Sequence, residues 1–175
     1  MQMSKKTFIY ASAVLIAIIA IVLWNGTSTR NRLSETKAKA LVLSCIDFRF
    51  DFRFVNFSKG EYMDNYDKFS LAGASLGYNQ NTFPEWRETC NKHIELAKQL
   101  HDIDEVIVLD HMDCGAYRIL YDNPTLSRQE EYELHKKNLN KFKAMINEKF
   151  PLLKVTTLLM DVDESVMIKE FQLSK

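Results

Sequence analysis

Ala40-Leu41-Val42-Leu43-Ser44-Cys45-Ile46-Asp47-Phe48-Arg49 begins with five uncharged residues and then turns abruptly to chemistry. A short apolar run without polar alternation is typical of a strand buried on both faces of a parallel sheet. Two further runs have the same character: Val106-Ile107-Val108-Leu109, and Val155-Thr156-Thr157-Leu158-Leu159-Met160 after Pro151. Phe69-Ser70-Leu71, leading into Ala72-Gly73-Ala74, is a weaker strand candidate. Between these runs lie two helical patterns. The first has Thr82 as its cap with Glu85 three residues on, and carries Trp86, Cys90, Ile94, Ala97 and His101 on one face. The second pairs Ser127 with Glu130 in the same way, carries Tyr132, His135, Leu139, Phe142 and Ile146 on one stripe, and stops before Pro151. Strands alternating with helices predict an α/β domain over residues 40–175, a mainly parallel β-sheet flanked by helices with right-handed crossovers.

Outward from this domain, the N-terminal segment has a different character. Residues 7–24 contain no charged side chain. As a helix they rise about 27 Å, close to the roughly 30 Å of a hydrocarbon core. The run exceeds the apolar stretch of a cleavable signal peptide, and Asn25-Gly26-Thr27-Ser28-Thr29 directly after Trp24 offers no Ala-x-Ala. Residues 1–24 are therefore expected to form one N-terminal transmembrane helix, an uncleaved membrane anchor, with 25–39 as linker. Lys5 and Lys6 on one flank nearly balance Arg30, Arg32, Lys37 and Lys39 on the other, so the membrane side of the domain stays open.

Lysine plus arginine and aspartate plus glutamate number 23 each, and the domain has no basic run. That excludes a nucleic-acid surface built on net charge. Three cysteines are too few, and odd in number, for a disulfide framework. Cys90, on an apolar stripe, reads as a small buried hydrophobe.

Cys45 closes the first strand run, while His111 and Cys114 follow the second in Asp110-His111-Met112-Asp113-Cys114-Gly115. In an open parallel sheet, functional groups gather outside the carboxyl ends of the strands, so the three can converge. Two thiolates and an imidazole suit tetrahedral Zn²⁺, and three protein ligands leave the fourth position for chemistry. Asp47 is placed to accept a hydrogen bond beside that position, and Arg49 to fix its carboxylate. A hydroxide generated there would attack an electrophilic carbon such as that of CO₂. Asp47 is also a competent ligand that could swing onto the metal.

Cys45-x-Asp47-x-Arg49 followed by His111-x-x-Cys114-Gly115 resembles the signature of the β-class carbonic anhydrases. The likeness includes Ala72-Gly73 between the motifs and extends over residues 40–163 in order and spacing. It implies reversible hydration of CO₂ to bicarbonate, one zinc held by Cys45, His111 and Cys114, an Asp47–Arg49 catalytic dyad, and a homodimer or higher homo-oligomer. Ser70-Leu71 stands where the family has Arg-Asn, and Asp110 where a small residue is usual. Residues 25–39 are shorter than the arm that commonly embraces a partner subunit.

Plainer roles are expected elsewhere. His93, His101 and His135 read as packing residues, Asp113 as a turn cap, and Asp51 with Arg53 as a surface ion pair. The doubled tetrapeptide Asp47-Phe48-Arg49-Phe50-Asp51-Phe52-Arg53-Phe54 fits either an alternating strand or an irregular turn. Two other functions stay open at this level: hydrolysis of COS or CS₂ on the same scaffold, and a non-catalytic, membrane-anchored zinc domain that binds a partner.

Overall fold

Leu41 and Leu43 face one side of their strand and Ala40 and Val42 the other, and all four are at most 2% exposed. Burial on both faces is what the uninterrupted apolar run requires, and it places this strand inside a sheet. The computed structural model describes residues 37–50, 65–161 and 169–170. The expected anchor at 1–24 and nearly all of the 25–39 linker lie outside the described residues. Among the described residues, no helix is long and apolar enough to cross a membrane.

The strands are β1 (Ala40–Ser44), β2 (Tyr66–Ser70), β3 (Glu105–His111), β4 (Lys154–Met160) and β5 (Lys169–Glu170). They form one sheet in the order β2-β1-β3-β4-β5. β1 pairs in parallel with β2 and β3, and β3 in parallel with β4; only β5 runs antiparallel, against β4. The sheet is thus mainly parallel, as predicted. The chain leaves β1 for β2 on one side and returns to β3 on the other, which makes the β1/β3 boundary the point where strand order reverses. Open α/β sheets bind ligands in the crevice at that boundary, beyond the carboxyl ends of the strands.

The helices are α1 (Ser75–Asn79), α2 (Pro84–His101), α3 (Gly115–Leu120) and α4 (Arg128–Lys149). Cys90, Ile94 and Ala97 of α2 join Leu139, Phe142 and Ile146 of α4 against Leu41, Leu43, Val106 and Val108. Both long helices therefore cover the same face. The opposite face gathers Ala40, Val42, Ile107, Leu109, Leu158 and Met160 around Phe50 and Tyr66, and among the described residues no α-helical one joins that cluster.

Two local expectations need correction. Thr82 does not cap α2: Phe83 is the N-cap and makes no side-chain cap bond. Pro84 takes the first helical position, where its fixed φ and missing N–H cost nothing, and this sets the start instead. β2 begins at Tyr66, earlier than the Phe69-Ser70-Leu71 signal, because Tyr66 and Asp67 are half-buried and Lys68 exposed on the outermost parallel strand, with no apolar run. By contrast, Ser127 and Glu130 form the reciprocal capping box at the start of α4.

Candidate metal centre

Cys45 directly follows β1, His111 is the last residue of β3, and Cys114 is the N-cap of α3. Parallel pairing of β1 with β3 brings them together at the reversal point. Their ligating atoms all lie within 4.8 Å of one another, with Cys45 half-buried and the other two buried. The two sulfurs are 3.9 Å apart. Two thiolates bound tetrahedrally at zinc–sulfur distances of about 2.3 Å would stand about 3.8 Å apart.

The imidazole is set in a defined orientation. Nδ1 of His111 lies 2.9 Å from the Met112 carbonyl oxygen, which can only accept, so Nδ1 carries a proton. In the neutral ring the lone pair is then on Nε2, which faces the sulfurs and is a buried nitrogen without a hydrogen-bond partner. An orphaned buried acceptor is costly. Phe50, the buried residue of a 3-10 turn at Phe48–Phe50, stacks on the ring at a centroid distance of 4.0 Å. The described half of the doubled tetrapeptide is thus a turn, and residues 51–54, with Asp51 and Arg53, lie outside the described residues.

The thiols are electrostatically linked. The two thiols share a hydrogen bond, which pulls the Cys45 thiol below its ordinary value against the opposing effect of burial, with His111 and the Gly73 amide acting in the same direction. Cys114 is raised in turn by the same hydrogen bond and by burial. Gly73, at φ 73, donates its N–H to Cys45 Sγ at 3.4 Å, and an added Cβ there would come within 3.1 Å of Ala116 Cβ. An acceptor without a proton, a thiolate-forming pair and the sulfur spacing all fit a metal ion.

Beside the cluster, Arg49 grips Asp47 through Nε–Oδ1 at 3.0 Å and Nη2–Oδ2 at 2.7 Å. That bond holds the Asp47 carboxyl below its ordinary value. Asp47 Oδ2 lies 3.9 Å from His111 Nε2, so the carboxylate borders the ligand atoms. Asp113 does more than cap a turn. At φ 58 it sits in the left-handed region, which aspartate tolerates better than most residues. Its Oδ2 accepts from Arg49 Nη1 at 2.8 Å, its carbonyl from Arg49 Nη2 at 2.9 Å, and its Oδ1 from Arg118 at 2.6 Å. Arg49 is thereby held between two carboxylates.

Behind the cluster stand residues that the sequence reading missed or gave only packing roles. Glu131 accepts from the amides of Asp113 and Cys114, at 3.0 and 2.7 Å. His135 is hydrogen-bonded to Asp110 at 2.8 Å. Burial alone would depress His135, but Asp110 and Glu131 outweigh it and hold the imidazole above its ordinary value. The available signal was the spacing of Glu131 and His135, four apart on a helix, with His135 on the apolar stripe: ionisable groups on an inward face need partners. Of the other histidines, His101 pairs with Asp67 at 2.8 Å, and His93 packs beside Phe69 at a centroid distance of 4.5 Å.

An open parallel sheet with a two-cysteine, one-histidine cluster at its reversal point defines an α/β protein with a group of side chains that could hold a metal ion. Residues 35–170 match the family described as "Putative carbonic anhydrase", and the chain belongs to that family. An uncharacterized protein of Rickettsia conorii is 41% identical over 129 residues, covering 73% of this chain and 69% of that one. Another, of Rickettsia bellii, is 42% identical over 129 residues, covering 73% of this chain and 79% of that one. Among solved structures, a tetrameric β-carbonic anhydrase of Sordaria macrospora superposes with a TM-score of 0.61 at 14% identity, covering 98% of this chain and all 100% of that one. The β-carbonic anhydrase CafA of Aspergillus fumigatus gives 0.58 at 14% identity, covering 97% and 92% of the two chains. At such identity the likeness is one of fold.

Proposed function

We propose that this protein is a zinc enzyme that reversibly hydrates CO₂ to bicarbonate. The observation that carries the reading is the unpartnered, buried Nε2 of His111 facing two thiol sulfurs, with an arginine-held carboxylate 3.9 Å away. Cys45, His111 and Cys114 would hold the ion. When bound, zinc supplies Lewis acidity that makes water a nucleophile near neutral pH. Asp47 is the acceptor that orients the reacting water. Arg49 donates to Asp47 Oδ1 through its backbone N–H and Nε and to Oδ2 through Nη2 and Nε, which fixes the carboxylate with Oδ2 toward His111 Nε2. Because Arg49 keeps this carboxyl ionised, Asp47 is an acceptor throughout the neutral range. Phe50 shields one face of His111 from solvent.

Two parts of the same proposal rest on other grounds. The uncharged run at residues 7–24 supports a membrane anchor. The tetrameric state of the Sordaria macrospora enzymes supports a homo-oligomer here. Fractionation of cells expressing the full chain, and light scattering on the purified protein, test these.

Stopped-flow CO₂ hydration on the purified chain, with zinc measured alongside, tests the enzyme. One zinc per chain and hydration between about pH 7 and 9, where metal-bound water titrates, is the expected result. Full zinc occupancy without hydration would leave a metal-binding domain that serves a partner.

A further inference from the structure

Behind the cluster lies a second set of charges that the hydration chemistry does not use. Asp110, Glu131 and His135 are 1%, 4% and 0% exposed. Each carboxylate grips backbone beside the ligands. Asp110 immediately precedes His111, and its Oδ1 accepts from the Ser75 N–H at 2.9 Å. Its Oδ2 accepts from Ser75 Oγ at 2.6 Å, the Tyr117 hydroxyl at 2.8 Å and His135 Nδ1 at 2.8 Å. Asp110 thus ties the end of β3 to the turn whose Gly73 amide donates to Cys45. Glu131 holds the Asp113 and Cys114 amides. The His135 ring stands between the two acids: Nδ1 is bonded to Asp110, Nε2 lies 3.7 Å from Glu131 Oε1 without a hydrogen bond, and the ring centroid is 3.8 Å from that of Tyr117.

Packing alone does not require this arrangement. Well-packed apolar residues of similar volume often stabilise an interior as well as buried ions do, whereas a buried carboxylate deprived of its partner is strongly destabilising. Three ionisable groups meeting beside the Cys114 amide, the end of β3 and the turn that supports Cys45 point to the ligands as the reason for their presence.

We propose that His135 is a positioning residue for the metal centre: standing between Asp110 and Glu131, it locks the backbone that presents His111 and Cys114 to the turn whose Gly73 amide supports Cys45. The inference rests on the reading of those three as ligands. Groups that orient metal ligands from behind commonly contribute ten- to a hundredfold in metal affinity.

The test uses the full chain loaded with cobalt(II), whose d–d and thiolate charge-transfer absorption reports ligand number and geometry. His135→Gln keeps a donor for Asp110 but removes the ring that stands between the two acids. It should shift the cobalt spectrum and speed cobalt release to a chelator about tenfold or more, with circular dichroism unchanged. Glu131→Gln, equal in size, should act in the same direction and carries the test if His135→Gln does not fold. A folded variant with the wild-type spectrum and release rate would overturn the proposal. Lower thermal stability with an unchanged spectrum would also overturn it, because His135 would then serve only the core. Failure of the wild-type chain to take up cobalt would instead remove the ligand reading beneath it.

Discussion

Arg49 decides much of the behaviour of the site at the residue scale, because one guanidinium serves two acids. It donates to both oxygens of Asp47 and to the side chain and carbonyl of Asp113. Both carboxyls are held below their ordinary values chiefly by that bond. A depressed carboxyl contributes stability that is present above its unfolded value, 3.8, and is lost as pH falls through the lower folded value. Arg49→Ala should therefore be less stable than wild type at pH 6 in urea unfolding, and the deficit should shrink below about pH 4. A deficit constant with pH would mean that Arg49 acts through packing. Asp47→Ala should keep its zinc yet lose about a hundredfold or more in hydration rate, the usual scale for a lost proton-handling group. Cys114→Ser should lose the metal itself. Retention of both zinc and turnover in the two variants would refute the assigned roles. The ligands were legible in the sequence because each follows an apolar strand run, and sheet topology brings strand ends together. Glu131 and His135 were not, because their partners lie 17 and 25 residues away in sequence and only the fold makes them neighbours.

At the scale of elements, the two short helices beside the site escaped sequence reading because neither is long enough to show a period. α1 has 5 residues and α3 has 6. What the sequence does carry there is glycine, and the three positions are not equivalent. A Cβ on Gly77 would lie 2.4 Å from the Ala72 carbonyl oxygen and 2.9 Å from Leu71 Cγ. The contact is with backbone, so it cannot be relieved by a rotamer change. Gly77→Ala should cost about 1–3 kcal/mol in thermal or urea unfolding and loosen the turn that carries Gly73. Gly115, though part of the signature motif, has nothing within 4 Å of such a Cβ. As the first residue of α3, Gly115→Ala should change stability by no more than about 0.5 kcal/mol. Equal losses at the two positions would show that the close approach at Gly77 is not what excludes a side chain. The long elements were easier to read. β1, β3 and β4 announce themselves by unbroken apolar runs, and α4 by its capping box, whereas the start of α2 turned on Pro84 and not on Thr82.

For the whole molecule, the order β2-β1-β3-β4-β5 puts the cluster between the two central strands and lets one ion join segments distant in sequence. Strand identity could be read from hydropathy, but strand order could not, since β1 and β3 would be equally apolar in any central position. The order has a thermodynamic consequence. Cys45 and Cys114 are 69 residues apart, and an ion bound by both favours only states in which β1, β3 and the start of α3 are assembled. Free zinc at a hundred times its dissociation constant should add about 2.7 kcal/mol of stability. For a chain of this size that corresponds to a rise of roughly 5–10 °C in midpoint temperature. Thermal unfolding with zinc and with a strong chelator should show that difference, and Cys114→Ser should show none. Equal midpoints for the wild-type chain in both conditions would mean that no ion bridges the strands, whatever the spacing of the sulfurs.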